Sequence, residues 1–323
     1  MQIYFAPMEG ITGFVCRNAY EACFPGSIRK YFAPFITASS RKALSNKEIR
    51  DLSPENNTGI HLVPQLLAND VDAFVQTAER ICAYGYDEIN LNLGCPSKTV
   101  VTKKKGAGLL AYPKLLEEFL DGIYTYGEKN GICISIKTRI GMYEPEEWDR
   151  LLALYEKFPV SELIVHPRLQ TEYYEGKPHT ECFERALSKS CCPVIYNGDL
   201  FDKNALTQFA ADFPQQETVM IGRGFLMHPG FSDRQMLWRF HDAVYAGYCE
   251  QMQGDTNVLF KMKELLSYLQ VGIRENCVRE DEAGGLSGET DQVDRQIAKQ
   301  LKEIRKCKTK REYERAIRML RQF

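Results

Sequence analysis

Short apolar segments of strand-like composition alternate with longer segments of helical periodicity along the first 225 residues. Apolar and β-branched runs that end at turn residues predict eight strands, at residues 2–6, 28–32, 60–66, 88–92, 133–137, 163–166, 194–196 and 219–221. Apolar residues at helical spacing predict helices between them and after the last, at residues 71–84, 112–126, 146–158, 203–213 and 230–245. Eight strand and helix units predict an α/β fold, a (β/α)8 TIM barrel.

The end of the chain has a different pattern, with helical periodicity and no strand candidate. Apolar residues recur at helical spacing from Ile297 to Ile304 and again from Ile317 to Leu320, which predicts two amphipathic helices with a break near residue 308. We therefore predict a barrel domain over residues 1–235 and a smaller all-helical C-terminal domain over residues 236–323.

Charge is distributed unevenly between these two parts. The whole chain of 323 residues has a net charge of -2, whereas residues 295–323 contain eleven Lys and Arg against three Glu, a local charge of +8. Such a concentration of positive charge favours a polyanionic partner such as RNA. A solvated basic helix face without a partner is the alternative interpretation.

The cysteines and the hydropathy of the chain argue against several classes of protein. The eleven cysteines are odd in number and contain no CxxC pair, and the chain opens without a basic leader or a signal-peptide core. These features predict a reduced, cytoplasmic protein without a disulfide framework and without a metal site. No apolar run reaches the roughly 18 residues that span a bilayer, so no membrane role is expected, and no protein partner is implied.

Polar residues and glycines follow seven of the eight predicted strands, at the edge where TIM barrels place their active sites. The first four strands contribute Pro7, Met8, Glu9, Gln65, Asn92 and Cys95. The last four contribute Lys137, Arg139, His166, Arg168, Asn197, Gly198, Asp199, Gly222 and Arg223. Each residue alone has an ordinary structural explanation, such as a surface lysine, a core histidine or a plain turn. Their concentration at one edge predicts an active site there.

Cys95 is the most informative residue of this set. Gly94 and Pro96 end the strand at once, so the thiol falls in a turn, and a lysine run at residues 103–105 follows it. A free cysteine is more often a small buried apolar residue, but a thiol at a strand end beside a basic, glycine-rich loop indicates a catalytic role.

Two late turns predict a phosphate site. Residues 197–199 and 222–224 follow strands seven and eight, where barrels bind phosphate with backbone N–H groups. Lys137 could stabilise negative charge on a bound ring. No GxGxxG segment follows a strand, so a dinucleotide domain is not indicated, and flavin mononucleotide (FMN) fits these features best.

Six segments in order resemble the motifs of the tRNA-dihydrouridine synthase family, over about 220 residues. They are residues 6–12 (APMEGIT), 92–96 (NLGCP), 136–141 (IKTRIG), 165–166 (VH), 196–199 (YNGD) and 221–224 (IGRG). The resemblance implies that Cys95 is the catalytic proton donor and that FMN is the cofactor. It assigns FMN binding to Pro7, Met8, Gln65, Lys137, His166, Asn197, Gly198, Asp199, Gly222 and Arg223, and we add Glu9 from the same opening motif.

The implied reaction is reduction of a uridine in RNA to 5,6-dihydrouridine. NADPH would reduce FMN, a hydride would pass from the flavin N5 to C6 of uracil, and Cys95 would donate a proton to C5, since a thiol of ordinary pKa is protonated at neutral pH. The basic C-terminal part resembles the RNA-binding helical domain of the family. We predict substrate contacts by Asn92, Lys103, Lys104, Lys105, Arg139 and Arg168.

The sequence leaves the class of substrate open. Pro167, between His166 and Arg168, and the basic loop over residues 103–108 depart from the usual family pattern at the substrate rim. Transfer RNA is the expected partner, and ribosomal RNA is the alternative. An FMN barrel acting on a small molecule would leave the +8 tail unexplained, and a flavin-free RNA-binding barrel is the remaining reading.

Overall fold

The computed structural model describes residues 1–283 and 290–323. The chain divides into two compact units. The first comprises Met1–Phe14, Ile28–Leu200 and Thr207–Ile221, and the second comprises Val15–Ser27, Phe201–Leu206 and Gly222–Phe323. The domain boundary expected at residue 235 stays a prediction.

Ten parallel strands form one sheet in the first unit. They are β1 (Gln2–Phe5), β2 (Lys30–Phe32), β3 (Ile36–Thr37), β4 (Leu62–Val63), β5 (Gln65–Leu67), β6 (Glu88–Leu93), β7 (Cys133–Gly141), β8 (Leu163–Leu169), β9 (Val194–Tyr196) and β10 (Thr218–Ile221). Their order in the sheet is β3-β5-β6-β7-β8-β9-β10-β1-β2-β4. Each predicted strand is present, and β7 and β8 extend further than predicted.

Two barrel strands are each split into two pieces, and these pieces complete the ring of the barrel. Pro64 separates β4 from β5: β4 pairs with β2, whereas β5 pairs with β3 and β6. Proline has no N–H to donate to a ladder, so a break at this residue is expected. Counting β2 with β3 and β4 with β5 as single positions gives a ring of eight parallel strands. The predicted TIM barrel is confirmed.

The described helices lie between and after the strands. They are α1 (Phe14–Cys23), α2 (Asn46–Leu52), α3 (Val71–Cys82), α4 (Lys98–Val101), α5 (Pro113–Asn130), α6 (Glu147–Tyr155), α7 (Thr180–Lys189), α8 (Lys203–Asp212), α9 (Arg223–Met227), α10 (Arg234–Gln251), α11 (Asp255–Ala283), α12 (Thr290–Lys306) and α13 (Lys310–Leu320). The helices that the sequence pattern did not predict include α1 and α7, and in α7 only Cys182, Phe183 and Ala186 of the ten residues are buried. No described helix is long and apolar enough to cross a membrane.

Large apolar side chains fill the barrel interior. One buried cluster contains Tyr4, Ala6, Phe32, Val63, Ile164, Ile195 and Met220, which come from β1, β2, β4, β8, β9 and β10 and the residue after β1. Such packing makes the barrel a solid core. Ligands therefore have access only at its ends, and the site expected from the sequence is at the carboxyl ends of the strands.

The second unit ends in packed helices, as the apolar spacing predicted. The periodic apolar residues of α12 and α13 are buried, and the predicted break lies between Lys306 and Lys310. Thr309 begins α13 with a capping box, in which its side chain accepts from the backbone N–H of Glu312. His241 Nε2 lies 2.8 Å from the hydroxyl of Tyr313, which ties α13 to α10. The predicted helical C-terminal part is confirmed.

Candidate active site

Hydrogen bonds on both sides hold the turn that carries Cys95. The Asn92 Oδ1 accepts from the backbone N–H of Gly94 at 3.1 Å and of Cys95 at 2.9 Å. The Cys95 carbonyl accepts from the backbone N–H of Ala107 at 3.1 Å. Gly106 has a φ of +54°, and a Cβ there would lie 2.9 Å from the Cys95 carbonyl oxygen. Only glycine allows this close approach, so the glycine-rich loop supports the cysteine turn.

The environment of Cys95 keeps its thiol protonated. Burial raises the pKa of Cys95, and the backbone N–H of Ser97 and the charge of Arg139 offset part of that rise. A thiol with a raised pKa holds its proton at neutral pH and is a poor nucleophile. The site therefore favours a proton donor over a nucleophilic cysteine.

Lys137 supplies a half-buried positive charge beside the turn. It is the register partner of Asn92 on the neighbouring strand. Burial, together with the charge of Arg139, lowers the pKa of Lys137 to about 7. Within residues 1–283 and 290–323, its ammonium has no hydrogen-bond or ion-pair partner in the protein. A half-buried cation without a protein partner fits the electron-rich or anionic part of a bound group, which is the role expected toward FMN.

Asn92 is itself the end of a chain of buried side chains, which we call the amide ladder. Its Nδ2 donates to Gln65 Oε1 at 2.8 Å, and Gln65 Nε2 donates to Asn90 Oδ1 at 2.7 Å. Asn90 Nδ2 then donates to Ser135 Oγ at 2.9 Å, and that hydroxyl donates to Glu88 Oε1 at 3.4 Å. Gln65, Asn90 and Ser135 have no exposed surface.

The charged end of the amide ladder fixes the direction of its hydrogen bonds. Glu88 is paired with Lys30, at 2.8 Å between Nζ and Oε2, so its carboxylate can only accept. Ser135 must therefore donate to Glu88 and accept from Asn90 Nδ2. Asn90 Oδ1 is then left to accept from Gln65 Nε2, and Gln65 Oε1 to accept from Asn92 Nδ2. Asn92 Oδ1 consequently faces the two N–H groups of the cysteine turn.

The donors of Arg139, a predicted substrate contact, bond to backbone carbonyls of the protein. Nε donates to Gly94 at 3.1 Å, Nη1 to Leu169 at 2.6 Å and Nη2 to Tyr173 at 2.5 Å. The side chain is 1% exposed, and burial lowers the pKa of Arg139 to about 10. Arg139 thus joins the cysteine turn to the loop after β8, and direct substrate contact stays a prediction.

Arg168, a second predicted substrate contact, pairs with Asp199, a predicted cofactor contact. Nη1 lies 2.8 Å from Oδ1 and Nη2 lies 2.5 Å from Oδ2, and this ion pair raises the pKa of Arg168. Arg168 also donates to the carbonyls of Glu175 and Gly176. His166 Nε2 lies 3.3 Å from Nη1. Since arginine has no acceptor, this nitrogen of the histidine accepts and a neutral ring carries its proton on Nδ1.

The predicted cofactor residues after β9 are closely packed. Asn197 Nδ2 donates to the Met220 carbonyl at 2.8 Å. A Cβ on Gly198 would lie 2.0 Å from the hydroxyl of Tyr196, so any larger residue would displace that ring. The absence of a side chain at residue 198 therefore has a structural reason, and the expected role of Gly198 in cofactor binding stays a prediction.

The opening motif forms a tight turn after β1. Met8 donates its backbone N–H to Thr12 Oγ1 at 2.7 Å and accepts from the N–H of Ile11 and of Thr12 at 3.1 Å. Pro7 and Met8 are half-buried, whereas Glu9 is exposed and pairs with Lys47 at 3.3 Å. Glu9 therefore has a weaker geometric case for cofactor binding than its two neighbours.

The lysine run follows α4 on the loop after β6. Lys103 and Lys104 are exposed and Lys105 is half-buried. Burial and the charge of Lys103 lower the pKa of Lys105, and Lys104 Nζ lies 4.5 Å from the centroid of the Tyr112 ring. The two exposed ammonium groups are available to phosphates.

Gly222 and Arg223 lie in the second unit, where they begin α9. The Arg223 guanidinium lies 4.8 Å from the centroid of the Phe201 ring, and Gly222 precedes the first helical residue. Their expected role in FMN binding stays a prediction.

In the first unit, strands β6 and β7 bring Asn92, Cys95 and Lys137 together. Sequence reasoning missed Asn90 and Ser135, which continue the amide ladder below the turn. A signal was present, because Asn90 and Asn92 are two residues apart on one strand and must face the same side of the sheet. Two amides on the inner face of a barrel strand require polar partners.

The chain is similar in sequence to known proteins of one family. The family model for dihydrouridine synthase (Dus) matches residues 4–320. The chain is 26% identical over 235 residues to tRNA-dihydrouridine synthase B of Pasteurella multocida, covering 71% of this chain and 67% of the relative. A tRNA-dihydrouridine(16) synthase of Pseudomonas putida is 28% identical, with 71% of each chain covered. One from Aquipseudomonas alcaligenes is 30% identical over 240 residues, covering 72% of this chain and 74% of the relative.

Proposed function

The chain belongs to the dihydrouridine synthase family, and we propose that it reduces one uridine of tRNA to 5,6-dihydrouridine, with FMN as cofactor and NADPH as reductant. The observation that carries the proposal is the pairing of a protonated Cys95, in the turn after β6, with Lys137 on the adjacent strand β7, a half-buried cation without a protein partner among the described residues. Reduction of uracil needs a proton donor and a cation that stabilises negative charge, and this edge of the barrel offers both.

Each residue of the site has a defined task in this proposal. FMN, when bound, supplies the hydride that uracil C6 receives. Cys95 donates its Sγ proton to C5, so the C5–C6 double bond gains one hydride and one proton, and the thiolate is reprotonated from solvent. Asn92 holds the cysteine turn through two backbone N–H groups. Lys137 binds the electron-rich edge of the cofactor.

Positive charge explains how the RNA is held while its uridine leaves the stack. Unstacking a base costs a few kcal/mol, and contacts to phosphates offset that cost. Lys103 and Lys104 are exposed near the cysteine turn, and the basic face of α12 and α13 offers further contacts. The names of the relatives support tRNA as the substrate.

The test begins with the purified protein and its absorbance spectrum. Bound FMN gives a yellow protein, and NADPH should bleach it without RNA. Unmodified tRNA and rRNA transcripts are then incubated with enzyme and NADPH, and nucleosides are analysed by mass spectrometry. We expect dihydrouridine in tRNA alone. A colourless protein that takes up no added FMN, or one that modifies neither transcript, would refute the proposal, and product in rRNA alone would refute its substrate.

A further inference from the structure

Exposed tyrosines are concentrated at one edge of the first unit. Tyr143, Tyr173 and Tyr174 are 64%, 36% and 48% exposed, and we call them the tyrosine rim. Tyr143 follows β7 and the other two follow β8, at the carboxyl ends of these strands. Tyr174 packs on the inner side, with its ring 6.1 Å from that of His166. Tyr143 and Tyr173 have no such packing partner among the described ring contacts.

Two buried arginines hold the β8 loop of the rim in place. Arg139 donates to the carbonyls of Leu169 and Tyr173, and Arg168 donates to those of Glu175 and Gly176. Tyr173 has a φ of +51°, a conformation that side-chain-bearing residues rarely adopt, and its carbonyl is one of those that Arg139 holds. The loop is therefore exposed in its side chains and fixed in its backbone.

The β7 loop of the rim is equally constrained. The Glu147 carboxylate accepts the backbone N–H groups of Met142, Tyr143 and Glu144 at 2.9, 2.8 and 3.1 Å. Thr171 Oγ1 donates to the Met142 carbonyl at 3.1 Å, which joins this loop to the β8 loop. Tyr143 and Tyr173 thus belong to one rigid, hydrogen-bonded surface.

That surface is connected directly to the cysteine turn. Gln170 Nε2 donates to the Pro96 carbonyl at 3.0 Å, and Arg139 Nε donates to the Gly94 carbonyl. Residues on both sides of Cys95 therefore bond to the elements that carry the rim. A chain whose uridine reaches Cys95 would pass over nearby rigid aromatic side chains.

We propose that Tyr143 and Tyr173 form a stacking platform for unpaired nucleobases that flank the target uridine, an inference that rests on the proposed function. Aromatic rings held rigidly beside exposed cations are what proteins use to bind single-stranded nucleic acid, and Lys103 and Lys104 supply exposed charge after the neighbouring strand β6. Stacking there holds the RNA open after its uridine has left the helix, so the platform contributes binding without touching the reacting atoms.

The test separates stacking from charge by the salt dependence of RNA binding. Tyr143→Ala and Tyr173→Ala are compared with Tyr143→Phe and Tyr173→Phe, which keep the ring, on a tRNA transcript. Leu187→Ala, an exposed truncation on α7, is the control. Loss of one stacked base is worth about 1–3 kcal/mol, so each alanine variant should bind roughly 5-fold more weakly or worse. The slope of log affinity against log salt should be unchanged, because no phosphate contact is lost.

The outcomes are distinct. Weaker binding by the alanine variants, recovery by the phenylalanine variants and an unchanged slope support the platform, with a raised KM and an unaltered kcat for dihydrouridine formation. Alanine variants that bind RNA like the wild type, or whose binding depends less on salt, overturn the platform. If the wild-type protein still forms dihydrouridine in that case, the proposed function stands. A wild-type protein that neither binds nor modifies the transcript overturns both.

Discussion

At the scale of single residues, Cys95 is defined by a raised pKa in a rigid turn. Replacing it with alanine removes one sulfur from a half-buried position, so the fold and the flavin content should be retained. NADPH should still bleach the flavin, because that half-reaction needs no thiol. Loss of a positioned general acid costs about 10²–10⁴ in rate, so reoxidation of the reduced enzyme by RNA should be slower by that factor in single-turnover experiments.

The pH profile provides the control for this assignment. Because burial raises the pKa of Cys95, RNA-dependent reoxidation in the wild type should persist beyond the ordinary thiol pKa of about 8.5. It should fall only as pH rises through the higher value and the acid is lost. Wild-type rates in both half-reactions of Cys95→Ala would instead make another acid the donor, with His166 the first candidate.

The lowered pKa of Lys137 predicts that the affinity for FMN depends on pH. Its pKa of about 7 in the protein alone means that it loses its charge as pH rises above that value. If FMN binds the cation, binding above pH 7 must take up a proton, and affinity should weaken by up to about tenfold per pH unit. Titration of the apoprotein with FMN between about pH 7 and pH 9 measures this.

Two substitutions control for this effect. Lys137→Arg stays charged throughout the range, so its FMN affinity should vary little with pH. Lys137→Gln should bind FMN more weakly with an equally flat profile. A wild-type affinity that does not change with pH would show that the ammonium does not contact the cofactor.

At the scale of structural elements, the amide ladder predicts that a residue distant from the chemistry affects Cys95. Asn90→Leu leaves Gln65 Nε2 without its acceptor and frees Asn92 to rotate. A small misplacement of a catalytic group can cost as much as 10²-fold, so RNA-dependent reoxidation should slow by roughly 10-fold or more. Reduction by NADPH should be nearly unaffected.

Asn90→Asp is the matched variant, since its carboxylate still accepts from Gln65 Nε2 and preserves the direction of the bonds above it. It should react close to the wild-type rate. Thermal unfolding is measured in parallel, because an unsatisfied buried group alone costs about 1–3 kcal/mol of stability. Equal rates in the two variants, at similar stability, would contradict the orienting role of the ladder.

The elements also show where sequence reasoning succeeded and where it failed. Eight strand positions were predictable because apolar runs ending at turn residues are a local signal. Strands β7 and β8 were predicted too short, ending at Lys137 and His166, and Arg139 and Arg168 were predicted to be substrate contacts after the strand ends. Both guanidinium groups are buried against backbone carbonyls, and the three carbonyl partners of Arg139 lie 30 to 45 residues away in sequence. A local pattern cannot reveal such partners.

At the scale of the whole molecule, the charge of the C-terminal helices is expected to determine RNA affinity. Their apolar faces are buried, and the five basic residues Lys302, Arg305, Lys306, Arg315 and Arg318 are exposed. Replacing these five with glutamine should weaken RNA binding and leave flavin content unchanged. Each lost phosphate contact should reduce the log–log salt slope by about 0.7–0.9.

Lys129→Gln combined with Lys189→Gln is the control, because both lysines are exposed at the ends of barrel helices. This pair should leave the slope unchanged. If the variant with all five glutamine replacements binds RNA as the wild type does, at both low and high salt, the basic residues of α12 and α13 form only a solvated face.

The two buried arginines have a further consequence for the loop after β8, which concerns its resistance to proteases. An exposed loop with adjacent tyrosines would ordinarily be a preferred cleavage site for chymotrypsin. A protease must draw the backbone of its substrate into an extended form, and three carbonyls of this loop, with that of Leu169 at the end of β8, are bonded to guanidinium groups. Cleavage there would require those bonds to break first. Digestion of the native protein with chymotrypsin should therefore spare this loop, although its tyrosine side chains are exposed to solvent.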